Sequence, residues 1–139
     1  MMESDSESAT IARILKMMHT VAVVGLSPKT HRDSFGVARY LQSHGWRIVP
    51  INPMAREILG EVCYPSLEAA AQHARIELVN VFRNSADVPP IVDSAIAIGA
   101  QAVWLQLGIN HAAAADRALA AGLLVVQDKC LKIEHARAA

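Results

Sequence analysis

Short unbroken apolar runs alternate along this chain with stretches in which apolar residues recur every three or four positions. Continuous runs suit parallel strands covered on both faces, and the longer spacing suits helices with one buried face. The strand-like runs are Thr20–Gly25 (TVAVVG), Trp46–Ile51 (WRIVPI), Val62–Tyr64, Glu77–Phe82 (ELVNVF), Gln101–Gln106 (QAVWLQ) and Leu123–Val126. Pro50 cannot donate to a ladder, so it marks a strand end or an irregular bond. Helical spacing covers Ala9–Met18, Ser34–His44, Leu67–His73, Val88–Ile98 and His111–Ala121. Thr10, Asp33 or Ser34, Ser66, Ser85 or Asp87, and Asn110 are the expected N-caps. Pro89-Pro90 fit a first helical turn, and Gly45, Gly99 and Gly122 are stops. Met1–Ser8 reads as a mobile lead-in, and Gln127–Ala139 as a polar tail with few signals.

Strands alternating with helices specify parallel βαβ units. The expectation is one α/β domain over residues 1–139. It is a Rossmann-like, doubly wound parallel sheet of about six strands in spatial order 3-2-1-4-5-6, with helices on both faces.

Composition narrows the function classes. Of 139 residues, 53% are hydrophobic and 19% charged, enough apolar material for a real core. Lys+Arg and Asp+Glu are both 13, so no global field draws the protein to nucleic acid or a membrane surface. Aromatic residues are 4%, which argues against base-stacking platforms. No run approaches the ~18 apolar residues of a membrane span. Cys63 and Cys130 are too few for a disulfide framework, and a reducing cytoplasm is the expected compartment.

The candidate chemistry gathers at the C-terminal ends of the strands, where open α/β sheets bind ligands. After the first strand, Gly25 permits close approach by a ligand or a second backbone. Leu26–Arg32 is a polar turn, and a helix N-terminus follows. Free N–H groups and the positive helix end make an anion site, with Lys29 and Arg32 as mobile cations. Asn52-Pro53, Phe82-Arg83 and Gln106–Gly108 stand at three further strand ends. The dinucleotide fingerprint is incomplete: Gly25 is followed by Leu26-Ser27-Pro28, and the next glycine is Gly36. Asn52 stands where an acid would bind the NAD ribose, which disfavours NAD and leaves NADP open. No His or Cys pair has metal-ligand spacing, and no nucleophile elbow occurs. Asp128, Glu134 and His135 could form an acid–base group but read as a solvated tail.

In order, VAVVGLSPKTHRDSFGVARYL, IVPINP with ILGEVCYPSL, VNVFRNSADVPPIVDSAIAIGAQAVWLQLGI and DKCLKIEH resemble the Rossmann-like CoA-binding proteins. These are small stand-alone domains similar to the N-terminal domain of the succinyl-CoA synthetase alpha subunit. The resemblance covers Thr20–His135 and implies that coenzyme A is held by its ADP part at the strand ends. Carried over, Gly25, Ser27, Pro28, Arg32 and Ser34 would meet phosphates. Asn52 and Pro53 would flank the nucleotide, and Phe82 and Arg83 would close the adenine and phosphate side. Lys29 adds a cation, and Gly108 belongs to the same edge. The synthetase's catalytic histidine lies in a domain absent here, so the resemblance implies binding rather than catalysis.

Three readings follow: a CoA-binding module without its own catalysis, an enzyme using acyl-CoA or NADP, and a CoA-sensing regulator or partner subunit. A homodimer or a protein partner stays open. Cys130, beside Lys129 and Lys132, is expected at the ligand edge. There a thiolate could form a mixed disulfide with CoA, against the alternative of an inert packing cysteine.

Overall fold

The computed structural model describes residues 3–138. Five parallel strands form one sheet: β1 (Thr20–Val24), β2 (Arg47–Ile51), β5 (Leu78–Val81), β6 (Ala102–Leu105) and β7 (Leu124–Val126), in order β2-β1-β5-β6-β7. In order of the expected strands this is 2-1-4-5-6, so the doubly wound arrangement stands with one strand fewer.

The missing ladder is that of Val62–Tyr64. Residues 57–62 instead fold as a tiny antiparallel hairpin, β3 (Glu57–Ile58) with β4 (Glu61–Val62). Leu59 and Gly60 both have positive φ (54° and 78°), the geometry of a two-residue turn that matches strand twist. Only Tyr64 then reaches the sheet, as a single parallel bridge to Ile51 at the predicted edge. Pro50 stays within β2, opposite Val23, and its carbonyl accepts from Tyr64 N.

Alternation along the strands divides the core in two. Ala22, Val24, Val79, Val81, Val103 and Leu105 face one layer, covered by α3 (Leu67–Ala71), α4 (Val88–Ala97) and α5 (Ala112–Ala120). Val21, Val23, Leu78, Ala102 and Trp104 face the other, covered by α1 (Glu3–Met17), α2 (Asp33–Ser43) and α6 (Leu131–Ala138). Among the described residues no helix is long and apolar enough to cross a membrane.

Several local expectations change. Helix α1 reaches back to Glu3, so the backbone from Glu3 to Ser8 is helical and Thr10 lies inside the helix; Met1 and Met2 lie outside the described residues. The tail is not featureless: it forms α6, anchored by fully buried Leu131. Ser66 caps α3 as expected, accepting from Ala69 N at 3.1 Å. His111, not Asn110, caps α5, with Nδ1 accepting from Ala114 N at 3.1 Å. Asp87 stands at the N-cap of α4 without a side-chain cap bond.

At the end of β1, Gly25 has φ +86°, and a Cβ there would lie 2.6 Å from the carbonyl oxygen of Phe82. The glycine's role is thus close approach to a second backbone, at the point where β1 has β2 on one side and β5 on the other. Replacing Gly25 by Ala combines a left-handed backbone with a backbone clash. It should cost about 1–3 kcal/mol of stability, read as a lower urea midpoint; an unchanged midpoint would contradict this.

Helix α6 is fastened to α2 by a ring cluster. The Tyr40 hydroxyl hydrogen-bonds His135 Nδ1 at 2.8 Å. His44 stacks on Tyr40 with centroids 4.1 Å apart and lies 5.4 Å from the His135 ring. Its Nδ1 donates to the Tyr40 carbonyl at 2.8 Å, which requires a proton on that nitrogen. Burial, and then His44, lower the His135 pKa below the ordinary 6.5. The unfolded chain therefore binds the proton more readily, and this contribution is present above the unfolded pKa and lost as pH falls through the folded value. Between about pH 7.5 and about pH 5 the melting temperature should fall less steeply in His135→Gln than in the wild type. Parallel curves would show that His135 does not carry the dependence.

Candidate functional site

Three clefts run together along the C-terminal edge of the sheet. The first, of about 410 Å³, lies at the turn after β1 and is bordered by Gly25, Ser27, Lys29, Arg32, Asp33, Ser34 and Phe82. The second, about 520 Å³, adjoins it through Gly25 and Ser27 and extends to Asn52 and Pro53. The third and largest, about 890 Å³, shares Arg32, Asp33 and Phe82 with the first and runs to Gly108 and α6. Of the sequence-derived site residues, all but Pro28 border this continuous groove.

The turn is built by its own hydroxyls. Ser34 sits inside α2, where its Oγ accepts from Ser27 N at 3.0 Å. Ser27 Oγ in turn accepts from Lys29 N at 3.1 Å. Neither Asp33 nor Ser34 caps the helix: Arg32 is the N-cap and makes no side-chain cap bond. The first turn of α2 thus presents uncapped N–H groups to the cleft, the arrangement that attracts anions. Ser34 is 6% exposed, so its part is to set the loop's shape. Asp33 is exposed on the same rim and opposes an anion, while Lys29 and Arg32 favour one.

Two expected ligand residues have partners within the protein. The Asn52 amide donates to the Leu26 carbonyl at 2.9 Å, and its Oδ1 accepts from Met54 N at 2.7 Å. Asn52 therefore pins the β1 turn to the β2 turn. Arg83 crosses over Gly25, with Cδ 3.1 Å from where a Cβ would be, and pairs with Asp87 at 3.5 Å. Both partners are about half exposed (54% and 40%), so the pair is weak and Arg83 remains available to an anion.

The far wall of the groove rests on a polar network that the sequence reading missed. Asn80 is fully buried on the central strand and donates to the Trp104 carbonyl at 3.2 Å and to Gln106 Oε1 at 3.3 Å. Gln106 Oε1 also accepts from Leu131 N at 3.2 Å, which ties the end of β6 to the start of α6. Trp104 Nε1 donates to the Lys129 carbonyl at 2.9 Å, and Gly108 N donates to Asp128 Oδ1 at 2.6 Å. These bonds set Cys130, Lys132 and Ile133 along the largest cleft. Asp128, Glu134 and His135 do not form one site: they bond Gly108, Arg137 and Tyr40 respectively.

Of the two cysteines, Cys130 borders the groove and Cys63 does not. Burial, followed by Glu57, raises the Cys63 pKa above its ordinary value. At neutral pH, iodoacetamide should therefore label Cys130 ahead of Cys63, as mapped by peptide mass spectrometry; faster labelling of Cys63 would contradict the geometry.

Comparison with known proteins agrees with this architecture. The uncharacterized protein YneT of Bacillus subtilis (strain 168) is 34% identical over 128 residues, covering 92% of this chain and 93% of that one. A hypothetical protein from Pyrococcus horikoshii OT3 superposes with a TM-score of 0.86 at 36% identity, over 99% of this chain and 92% of that one. The dinucleotide-forming acetyl-coenzyme A synthetase 1 of Ca. Korarchaeum cryptofilum shares the fold, with a TM-score of 0.69 at 22% identity over 81% of this chain and 26% of that one. The CoA binding domain model matches residues 19–136, and with that match over nearly its whole length the chain belongs to the CoA-binding domain family.

Proposed function

We propose that this protein binds coenzyme A by its ADP and phosphate part along the groove at the strand ends, as a binding or regulatory module rather than a catalyst. The observation that carries the reading is the β1 turn. Its uncapped helix start, the Gly25 backbone and the cations Lys29 and Arg32 converge on one cleft. A pyrophosphate suits that cleft because N–H groups and guanidinium bonds to charged oxygens are stronger than neutral ones. Asn52 supports CoA over NAD, since its amide is engaged with Leu26 and Met54 and no acid stands there for ribose hydroxyls. Arg83, lying across Gly25, supplies a further cation for a 3′-phosphate.

Titration calorimetry should give tighter binding of CoA than of NAD, with NADP intermediate at best. Arg32→Ala should weaken CoA by about 1.5–3 kcal/mol while leaving the melting temperature of the free protein nearly unchanged, because the side chain is exposed. Equal binding of NAD, or a variant that loses stability but not affinity, would overturn the assignment.

CoA should also slow iodoacetamide labelling of Cys130 and leave Cys63 unaffected, because only Cys130 borders the groove. Labelling of Cys130 unchanged at saturating CoA would place the ligand's arm elsewhere.

A further inference from the structure

Away from the phosphate end, the character of the groove changes. The cleft of about 890 Å³ begins at Arg32 and Phe82, which it shares with the anion cleft, and ends among Leu107, Ile109, Cys130 and Ile133. Leu107 is 64% exposed and Ile133 44% exposed, two large apolar side chains left in water on the same cleft. They come from different elements, the loop after β6 and helix α6. The Gln106–Leu131 and Gly108–Asp128 hydrogen bonds hold those elements in place. Lys132, the cation nearest them in sequence, has its Nζ 5.6 Å from the Tyr40 ring centroid. Asn84, Ser85, Gln106 and Lys132 border the same cleft, so Leu107 and Ile133 form an apolar patch on a mixed wall. Such a patch, continuous with a charged cradle, fits a ligand whose one end is anionic and whose other end is aliphatic.

Resting on the CoA reading above, we propose that the preferred ligand is an acyl-CoA whose linear aliphatic acyl group lies against Leu107 and Ile133. Free CoA ends in a thiol and leaves that wall wet. A thioester carrying a short hydrocarbon chain covers it, and the gain is the removal of apolar surface from water. No covalent step is involved: the thioester stays intact, and the two side chains set selectivity by contact alone.

Calorimetric titration of the full chain with CoA, acetyl-CoA, butyryl-CoA, hexanoyl-CoA and octanoyl-CoA tests this directly. Affinity should rise about two- to fourfold per methylene over the first carbons that reach the wall. The ratio of octanoyl-CoA to CoA affinity is read within each of Leu107→Ser, Ile133→Ser and Leu119→Ser. The last is an exposed apolar residue on α5 outside the groove, and serves as the control. The ratio should collapse in the first two and persist in the third. CoA binding that is indifferent to chain length would overturn the acyl assignment while leaving the CoA reading intact, as would a chain-length gain that survives both wall substitutions. Absence of any CoA binding would instead defeat the reading on which it rests. A concentration-dependent dimer in sedimentation that Leu107→Ser or Ile133→Ser abolishes would assign the wall to a second copy of this chain and overturn the proposal. Thermal melts establish that each variant is folded.

Discussion

The site depends on one close approach. Gly25 lets the turn after β1 lie against the carbonyl of Phe82 at the end of β5, a contact that any Cβ would block. Because β1 pairs with β2 on one side and β5 on the other, this is where the chain's connections diverge to opposite halves of the sheet. With the turn seated there, Ser34 Oγ reaches Ser27 N, the start of α2 opens onto the cleft, and Arg83 crosses above. Asn52 then ties the neighbouring turn to the same point through the Leu26 carbonyl. The cradle is largely pre-formed backbone, with the cations at its rim.

A second support lies deeper. Asn80, buried on the central strand, and Gln106 share a hydrogen bond, and Gln106 in turn receives the first N–H of α6. The Asn80 amide nitrogen and Gln106 Oε1 are partnered while the buried Asn80 Oδ1 is not, so the bonds that are made tie β5, the end of β6 and the start of α6 together. This network positions the wall of the groove remote from the turn after β1. The Tyr40–His135 bond fastens the same helix further along, to the helix that carries the cradle. The groove therefore runs from the turn after β1 to the exposed Leu107 and Ile133, with α2 and α6 bordering it and joined by the Tyr40–His135 bond.

Much of the fold is legible in the sequence because parallel strands buried on both faces leave short, β-branched apolar runs bounded by turn residues, and their length and composition separate them from buried helix segments. Val21–Val24 and Val103–Leu105 are such runs. The site's location follows from the same logic, since loops at one end of a parallel sheet converge without any motif. What the sequence conceals is local competition. Ser34 looks like a cap but bonds Ser27; Asn110 precedes the actual cap, His111; Val62 has strand propensity, but the Leu59-Gly60 turn pairs its segment with β3 first. Helix α6 is nearly hidden because only Leu131 within it is fully buried, which leaves little periodicity to read. Whether a polar residue such as Asn52 faces a ligand or another loop is decided by tertiary neighbours, not by its type.

Under the proposed function, this groove selects coenzyme A among nucleotide cofactors. Native mass spectrometry of the intact protein in an equimolar mixture of CoA, NAD and NADP tests it most directly. The expected result is a dominant adduct with the mass of CoA, markedly reduced when Arg32 is replaced by Ala. A dominant NAD or NADP adduct, or a CoA adduct indifferent to that substitution, would contradict it.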